Sequence, residues 1–285
     1  MSFLVTGAAG FIGSHLVSLL DNPACCDTRV PATYQPPELI EYITRYKPKA
    51  VFHLGAISST TETNTGLIAE NNILFSCRLL EKCIELNIPL VYASSASVYG
   101  LGKNGFSEDQ AFTPMNYYAI SKACFDTIVL QKIRDNPGAK IVGLRYFNVY
   151  GTGENHKNDM ASPVHKFLLQ AKESGEIKVF QGSHDFYRDF IYVSDAAQIT
   201  KAAVGFASGI YNVGTGKPNS FLRVAEIIAE LTGAEISEIT FPEHLKEKYQ
   251  AWTCSDNSKI NEAYPSARTT LNEGITKVHN ADRIC

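Results

Sequence analysis

Apolar residues in this chain fall into short continuous runs that alternate with stretches of helical spacing. "SFLVTG" (2–7) is a short apolar run ending in glycine, and "FIGSHLVSLL" (11–20) follows with helical period. Further strand-like runs are "AVFHLGA" (50–56), "IPLVYASS" (88–95) and "KIVGLRYF" (140–147). Between them, Ile73, Cys77, Leu80 and Ile84 recur at helical spacing in 66–86 and predict one buried stripe, while 116–134 reads as another long helix. Continuous apolar strands alternating with helices predict an α/β fold whose parallel sheet is covered on both faces.

Beyond residue 150 the connections lengthen. Short strand-like runs appear at "IKVF" (177–180), "DFIYV" (189–193) and "GIYNV" (209–213), with helices at about 194–206 and 221–232. The pattern divides the chain into a sheet-and-helix part, 1–150, and a region 151–285. The second region is mainly a smaller substrate-binding part on the sheet's carboxyl edge, with pieces returning to the sheet.

Composition narrows the partners more than the fold. The 285 residues are 45% hydrophobic and 19% charged with a formal net charge of −3, enough apolar material for a packed core and too near neutral for a basic nucleic-acid-binding face. No apolar run approaches the roughly 18 residues of a spanning helix. "MSFLVTGAAGFIG" lacks a basic leader and a cleavage site, so no membrane partner is expected and the cytoplasm is the expected compartment. The seven cysteines (Cys25, Cys26, Cys77, Cys83, Cys124, Cys254 and Cys285) are odd in number and lack zinc-ligand spacing, which predicts small core residues and no metal site.

"TGAAGFIG" places Gly7, Gly10 and Gly13 directly after a strand, with Phe11 and Ile12 opening the helix. Such a turn brings backbone N–H groups at a helix N-terminus up to a pyrophosphate, where the helix dipole also favours negative charge. The signal predicts dinucleotide binding in a Rossmann-like doubly wound sheet, because strand, glycines and helix are all in place. Gly55 and Ala56, after the strand at 50–54, are expected to let the cofactor approach closely. His53 within that strand reads as a satisfied core histidine.

A YxxxK pair is weak by itself: 14 tyrosines and 17 lysines supply about one match by chance, and two occur. Tyr99 and Lys103 span "YGLGK", whose glycines disfavour a helix. Tyr118 and Lys122 span "YAISK" inside a helical run, so they lie one turn apart on one face. A tyrosine acting as a base at neutral pH needs its proton affinity lowered by about three units, roughly 4 kcal/mol. A nearby ammonium and an oxidised nicotinamide can supply that. Ser94, Ser95 and Ser97 stand at the carboxyl end of a strand, where α/β enzymes place their chemistry.

Together these segments resemble the extended short-chain dehydrogenase/reductase family, the NAD-dependent nucleotide-sugar epimerases and dehydratases, over residues 1 to about 280. The resemblance places the catalytic serine on Ser95 of "SSASVYG", and the tyrosine and lysine on Tyr118 and Lys122, which also touch the cofactor. "RYFNVYG" (145–151) and "RDFIYVSDAA" (188–197) are also similar, implying Asn148 near the substrate and Arg188 on its phosphates. "GAISSTTE" (55–62), "HKNDMAS" (156–162), "VFQGS" (179–183) and "LKEKYQAWT" (245–253) resemble the branch that inverts carbon 6 of ADP- or GDP-linked manno-heptose. That branch implies a second acid/base at Lys157, a residue that by type alone would face water. It also implies a substrate pocket including Ser162, His165, Phe180, Gln181, Arg188 and Tyr249. It implies NADP, less readily NAD, and a homo-oligomer of at least two chains joined through helices 66–86 and 116–134.

Inverting a carbinol carbon calls for two proton-handling groups, since hydride leaves one face and returns to the other. A 4,6-dehydratase carries an acidic pair after the catalytic hydroxyl, and here Ala96 and Ser97 stand there. A UDP-galactose-type 4-epimerase shares Ser95, Tyr118 and Lys122 without needing Lys157, and is the alternative enzyme. An NADP-binding sensor without turnover is the alternative of another class.

Residues 21–49 are too short for the strand–helix–strand–helix that a full dinucleotide fold places there. "ACCDTRV" (24–30) reads as at most one strand and "ELIEYITRY" (38–46) as a helix. Asp27 is expected to face the cofactor's adenosine, either as the ribose-holding acid of a clipped second strand or from a third strand with the second absent. The interval reflects a deletion, a loss of cofactor binding, or a stretch of chain missing from the sequence. NAD and NADP are not separable here, although Arg29 is compatible with a 2′-phosphate.

Overall fold

Valine, isoleucine, leucine and phenylalanine dominate the short runs that become the centre of the molecule in a computed structural model, which describes residues 2–28, 36–102, 105–243 and 250–282. In chain order the strands are β1 (Leu4–Thr6), β2 (Ala24–Cys26), β3 (Val51–His53), β4 (Leu90–Ser95), β5 (Ile141–Tyr146) and β6 (Asn148–Tyr150). Then come β7 (Glu176–Phe180), β8 (Tyr187–Tyr192), β9 (Gly209–Val213), β10 (Pro218–Ser220) and β11 (Glu235–Ile239). The helices are α1 (Phe11–Ser18), α2 (Pro36–Tyr46), α3 (Thr65–Ile68), α4 (Phe75–Glu85) and α5 (Tyr117–Asp135). They continue with α6 (Pro163–Ser174), α7 (Val193–Ala202), α8 (Phe221–Thr232), α9 (Ser258–Ala263) and α10 (Leu271–Asp282).

Six strands pair in parallel in the order β2-β1-β3-β4-β5-β9. The chain starts in the middle of the sheet and winds outward both ways, so a crevice opens where β1 and β3 send their connections apart. This is the doubly wound parallel sheet that the apolar runs predict. Val5, Leu16, Phe52, Leu144, Ile199 and Ile260 form the core on one face of the sheet, and Leu39, Leu79, Val51, Phe125 and Ile141 the core on the other. Burying each such side chain contributes roughly 1.5–3 kcal/mol. Among the described residues, β2 is the one strand beyond β1. Residues 24–26 therefore pair directly with β1, and Asp27 follows at the carboxyl end of that strand.

The helical stripe expected in 66–86 is rotated. A π-turn over Ala69–Leu74 joins α3 to α4 and admits an extra residue into the coil. The face turned to the core carries Asn72, Ser76, Leu79, Leu80 and Cys83, whereas Ile73, Cys77 and Ile84 are only half-buried. Two polar groups, Asn72 and Ser76, win this face because each finds a buried partner.

The later part adds two small sheets, β10-β8-β6 and β11-β7, packed with α6, α8 and α10 around Tyr150, Val164, Ile177, Phe190 and Ile228. Strand β9 returns to the edge of the main sheet beside β5. Because β6 follows β5 after one residue, the second region hangs from the carboxyl end of the main sheet. Among the described residues no helix is long and apolar enough to cross a membrane.

Candidate active site

The glycine turn is built by backbone crowding. Gly7 has φ +66°, and a Cβ there would stand 2.6 Å from the Gly55 amide nitrogen. A Cβ on Gly13 would collide with the Gly7 carbonyl oxygen. The Gly10 amide donates to Gly7 O at 2.9 Å, and Gly10 opens α1 with no side-chain cap. An uncapped helix start with close backbone approach fits a dinucleotide pyrophosphate. Just past β2 the buried Asp27 carboxylate accepts the Ala9 amide at 2.9 Å, which ties β2 to the turn. Arg29 lies outside the described residues.

Below the turn runs a chain of buried hydrogen bonds. The Gly55 amide donates to Thr6 Oγ1, which meets His53 Nδ1 at 2.7 Å, and His53 Nε2 meets Ser76 Oγ at 2.9 Å. Burial, helped by the Lys122 charge, pushes His53 down to about 3, so it is a neutral core residue. Asn72 pins the next loop, accepting from the Ile57 amide at 2.8 Å and donating to Ile57 O and Ser121 Oγ at 3.0 Å.

Strand β4 and helix α5 bring Ser95, Tyr118 and Lys122 together. The Asn116 side chain caps α5 through the Ala119 amide, so Tyr118 and Lys122 enter one turn apart near the helix start. Ser95 Oγ accepts from the Ser97 amide (3.2 Å) and hydroxyl (2.9 Å), and it is near enough to Tyr118 to draw the phenol's proton affinity down. Of Ser94, Ser95 and Ser97, Ser95 is the one that acts on the Tyr118 phenol. Lys122 Nζ donates to Ala93 O at 2.8 Å and lies 5.8 Å from the Tyr118 ring centroid. Burial pushes Lys122 down to about 8, with Asp126 opposing the fall. The Tyr118 phenol is raised, by burial first, while the Ser95 hydrogen bond pulls it down and Asp126 adds to the rise. The sequence-based expectation that the lysine would lower the phenol is thus not met by these side chains alone, because desolvation outweighs the hydrogen bond. The positive nicotinamide is the remaining group able to reverse the balance.

Lys157 belongs to a short 3₁₀ stretch, Asn155–Met160. Its ammonium is 2.7 Å from Glu154 Oε2 and 4.4 Å from the Phe11 ring centroid, at the first residue of α1. His15 of the same helix holds the loop through Thr152 O at 2.9 Å, and Thr60 Oγ1 meets Met160 Sδ at 3.7 Å. The loop thus touches both the cofactor helix and the segment after β3.

The remaining expected residues are spread over the second region. Asn148 starts β6 and Arg188 lies on β8, where its guanidinium donates to Tyr187 O at 2.8 Å and covers the Phe221 ring at 5.3 Å. Phe180 ends β7 against Phe241 at 5.2 Å, and the Gln181 amide donates to Ile239 O at 2.8 Å. Ser162 caps α6 through the His165 amide at 3.2 Å, and its hydroxyl donates to Glu154 at 2.7 Å. Tyr249 falls outside the described residues, as does most of 245–253.

Two groups escape the sequence reading. Glu154 sits unremarked in "GTGENHK", though E-x-x-K spacing is a local signal. Behind the triad, Asp126 is fully buried, accepting from Arg145 Nε at 2.8 Å and Tyr92 OH at 2.9 Å. Its partners are 19 and 34 residues away, too far for pattern reading.

The family model described as the NAD dependent epimerase/dehydratase family matches residues 3–214. The ADP-L-glycero-D-manno-heptose-6-epimerase of Brachyspira hyodysenteriae is 37% identical over 303 residues, covering 96% of this chain and 95% of its own. The enzyme of that name from Alkalilimnicola ehrlichii is 41% identical over 291 residues, covering 91% and 90%. The crystal structure of the Helicobacter pylori ADP-L-glycero-D-manno-heptose-6-epimerase superposes with a TM-score of 0.87 at 27% identity, covering 99% of this chain and 96% of that one. The Brachyspira alignment, at 303 positions, is longer than the 285-residue chain, so that relative has residues this chain lacks.

Proposed function

The chain belongs to the NAD dependent epimerase/dehydratase family, and within it we propose that this enzyme inverts carbon 6 of an ADP-linked manno-heptose by transient oxidation to a ketone. The observation that supports this most is the loop carrying Lys157, fixed by a buried carboxylate and seated against Phe11 of the cofactor helix. Relatives at 37–41% identity with the heptose-6-epimerase name support the sugar.

When bound, the nicotinamide supplies the acceptor and donor of hydride. Tyr118 takes the proton of the hydroxyl at carbon 6 as that carbon loses hydride. Ser95 Oγ hydrogen-bonds the same oxygen, and the Lys122 ammonium stabilises the phenolate. After hydride returns to the other face of the ketone, the new alkoxide points away from Tyr118. Lys157 donates the proton there. Asn148, His165, Phe180, Gln181, Arg188 and Tyr249 are assigned to the substrate. Ser162, the cap of α6, joins them through its hydrogen bond to Glu154 of the loop.

Gly7, Gly10, Phe11, Ile12, Gly13, Gly55 and Ala56 hold the cofactor in this reading, with Asp27 at the adenosine. NADP is the finer choice over NAD, resting on the likeness to the heptose branch; retention of NAD alone by the purified protein would overturn it. The reading extends to a cytoplasmic homo-oligomer of at least two chains. Apolar residues exposed along α3–α5, among them Leu67, Leu74, Tyr117, Ile120 and Leu130, support that assembly.

Incubating the enzyme with one 6-epimer of ADP-manno-heptose, followed by proton NMR, tests the substrate. Appearance of the other epimer is expected. Turnover of UDP-galactose with heptose left untouched would replace this reading with the 4-epimerase.

A further inference from the structure

Glu154 carries a full carboxylate charge into a place with no exposure to water. Oε1 accepts the Gly151 amide at 3.2 Å and the Ser162 hydroxyl at 2.7 Å. Oε2 accepts the Ser162 amide and the Lys157 ammonium, each at 2.7 Å. Four donors fill the acceptor sites of the carboxylate. Three of them are neutral, so Lys157 alone matches the charge, and a buried charge is tolerated only when it is paired.

The local backbone explains why this pair forms. The Lys157 amide donates to Glu154 O at 2.8 Å, and in a 3₁₀ turn side chains three residues apart stand one above the other. Gly153 at φ +90° starts that turn and Asn158 at φ +46° ends it. Around this loop, His15 of α1 meets Thr152 O, Lys166 of α6 donates to Asp159 O at 2.8 Å, and the His156 and Asp159 side chains are exposed. Lys157 is left with one anionic anchor and one aromatic face. A four-carbon side chain otherwise samples many rotamers, and fixing it costs up to about 2 kcal/mol.

We propose that Glu154 is a positioning residue for proton transfer by Lys157: the buried carboxylate holds the ammonium over Phe11, beside the cofactor helix, before substrate arrives. This deepens the reading of Lys157 as the second proton carrier and rests on it. A plain staple of the 151–162 loop is the alternative, and it would act whether or not Lys157 is present.

The test is steady-state kinetics on ADP-manno-heptose with Glu154→Gln, Lys157→Met and the double variant, each checked for a wild-type far-UV spectrum. Glu154→Gln is expected to lower kcat roughly tenfold to a hundredfold, as for a misplaced catalytic group, with KM moving less than about twofold. The double variant is expected to be no slower than Lys157→Met. A wild-type kcat for Glu154→Gln overturns the proposal, and so does a further slowing of Lys157→Met by the same factor. A wild-type rate for Lys157→Met removes the underlying reading instead. Should Glu154→Gln not fold, side-chain ¹⁵N NMR of lysine-labelled wild type serves. One ammonium resonance, absent in Lys157→Met, should persist at neutral pH through slow exchange; its absence overturns the proposal.

Discussion

Lys122 Nζ donates to the carbonyl of Ala93 at 2.8 Å, which ties the first turns of α5 to the end of β4 just before Ser95. The bond fixes the distance between the two elements that supply the triad. It also keeps the ammonium in a dry place, where its proton is held less tightly than in water.

With Lys122 pushed down to about 8, its charge is present below that pH and lost above it. The expected kcat/KM of the free enzyme therefore falls as pH rises through about 8. An arginine stays protonated throughout the accessible range. In Lys122→Arg the falling limb should move beyond about pH 10, at a lower plateau. A pH–rate profile of the two proteins decides this, and an unmoved limb would assign it to another group.

His53 makes the fold sensitive to acid. It is held at about 3 in the fold against an ordinary 6.5, so the unfolded chain binds a proton that the folded chain refuses. Stability falls as pH drops from about 6.5 toward about 3, at roughly 1.4 kcal/mol per unit from this residue. Between pH 7 and 5 the loss is about 2 kcal/mol. Urea midpoints of wild type and His53→Gln at both pH values measure it; His53→Gln should lack that share of the slope, and equal slopes would refute the assignment.

Gly13→Ala should empty the cofactor site. The added methyl meets the Gly7 carbonyl, so the turn must open. Overpacking of this kind costs about 1–3 kcal/mol. Native mass spectrometry of the purified variant is expected to show the bare polypeptide where wild type retains a dinucleotide; an equally loaded variant would contradict the close-packed turn.

Arg145→Met should destabilise the protein by about 3–5 kcal/mol, because Asp126 is left as an unmatched buried charge. Replacing both partners, as in Arg145→Met with Asp126→Leu, should cost less than the single change. Thermal midpoints of the two variants give the comparison, and equal losses would show that the pair is not acting as a unit.

The sheet and the cofactor turn were legible because their signals are local: apolar runs, glycine spacing and a YxxxK pair inside a helical stretch. The strand at 24–26 was legible as a strand, but its pairing with β1 was not, since the chain there could have supplied either missing neighbour. The stripe in 66–86 is shifted because the polar Asn72 and Ser76 take the buried face through partners distant in sequence, which apolar periodicity does not reveal. Glu154 was overlooked because its burial depends on Ser162, eight residues on, folding back as the cap of α6. The raised phenol of Tyr118 was missed for another reason: sequence shows which charges are near, whereas burial decides how much they weigh.

The central claim is that two side chains guard opposite faces of carbon 6. Its most direct measurement is interconversion of the two 6-epimers of ADP-manno-heptose by Tyr118→Phe and by Lys157→Met, followed by proton NMR against wild type. Each variant is predicted to lose epimerisation by roughly a hundredfold or more in both directions, the usual worth of a positioned acid or base. Epimerisation at the wild-type rate by Lys157→Met would contradict the account.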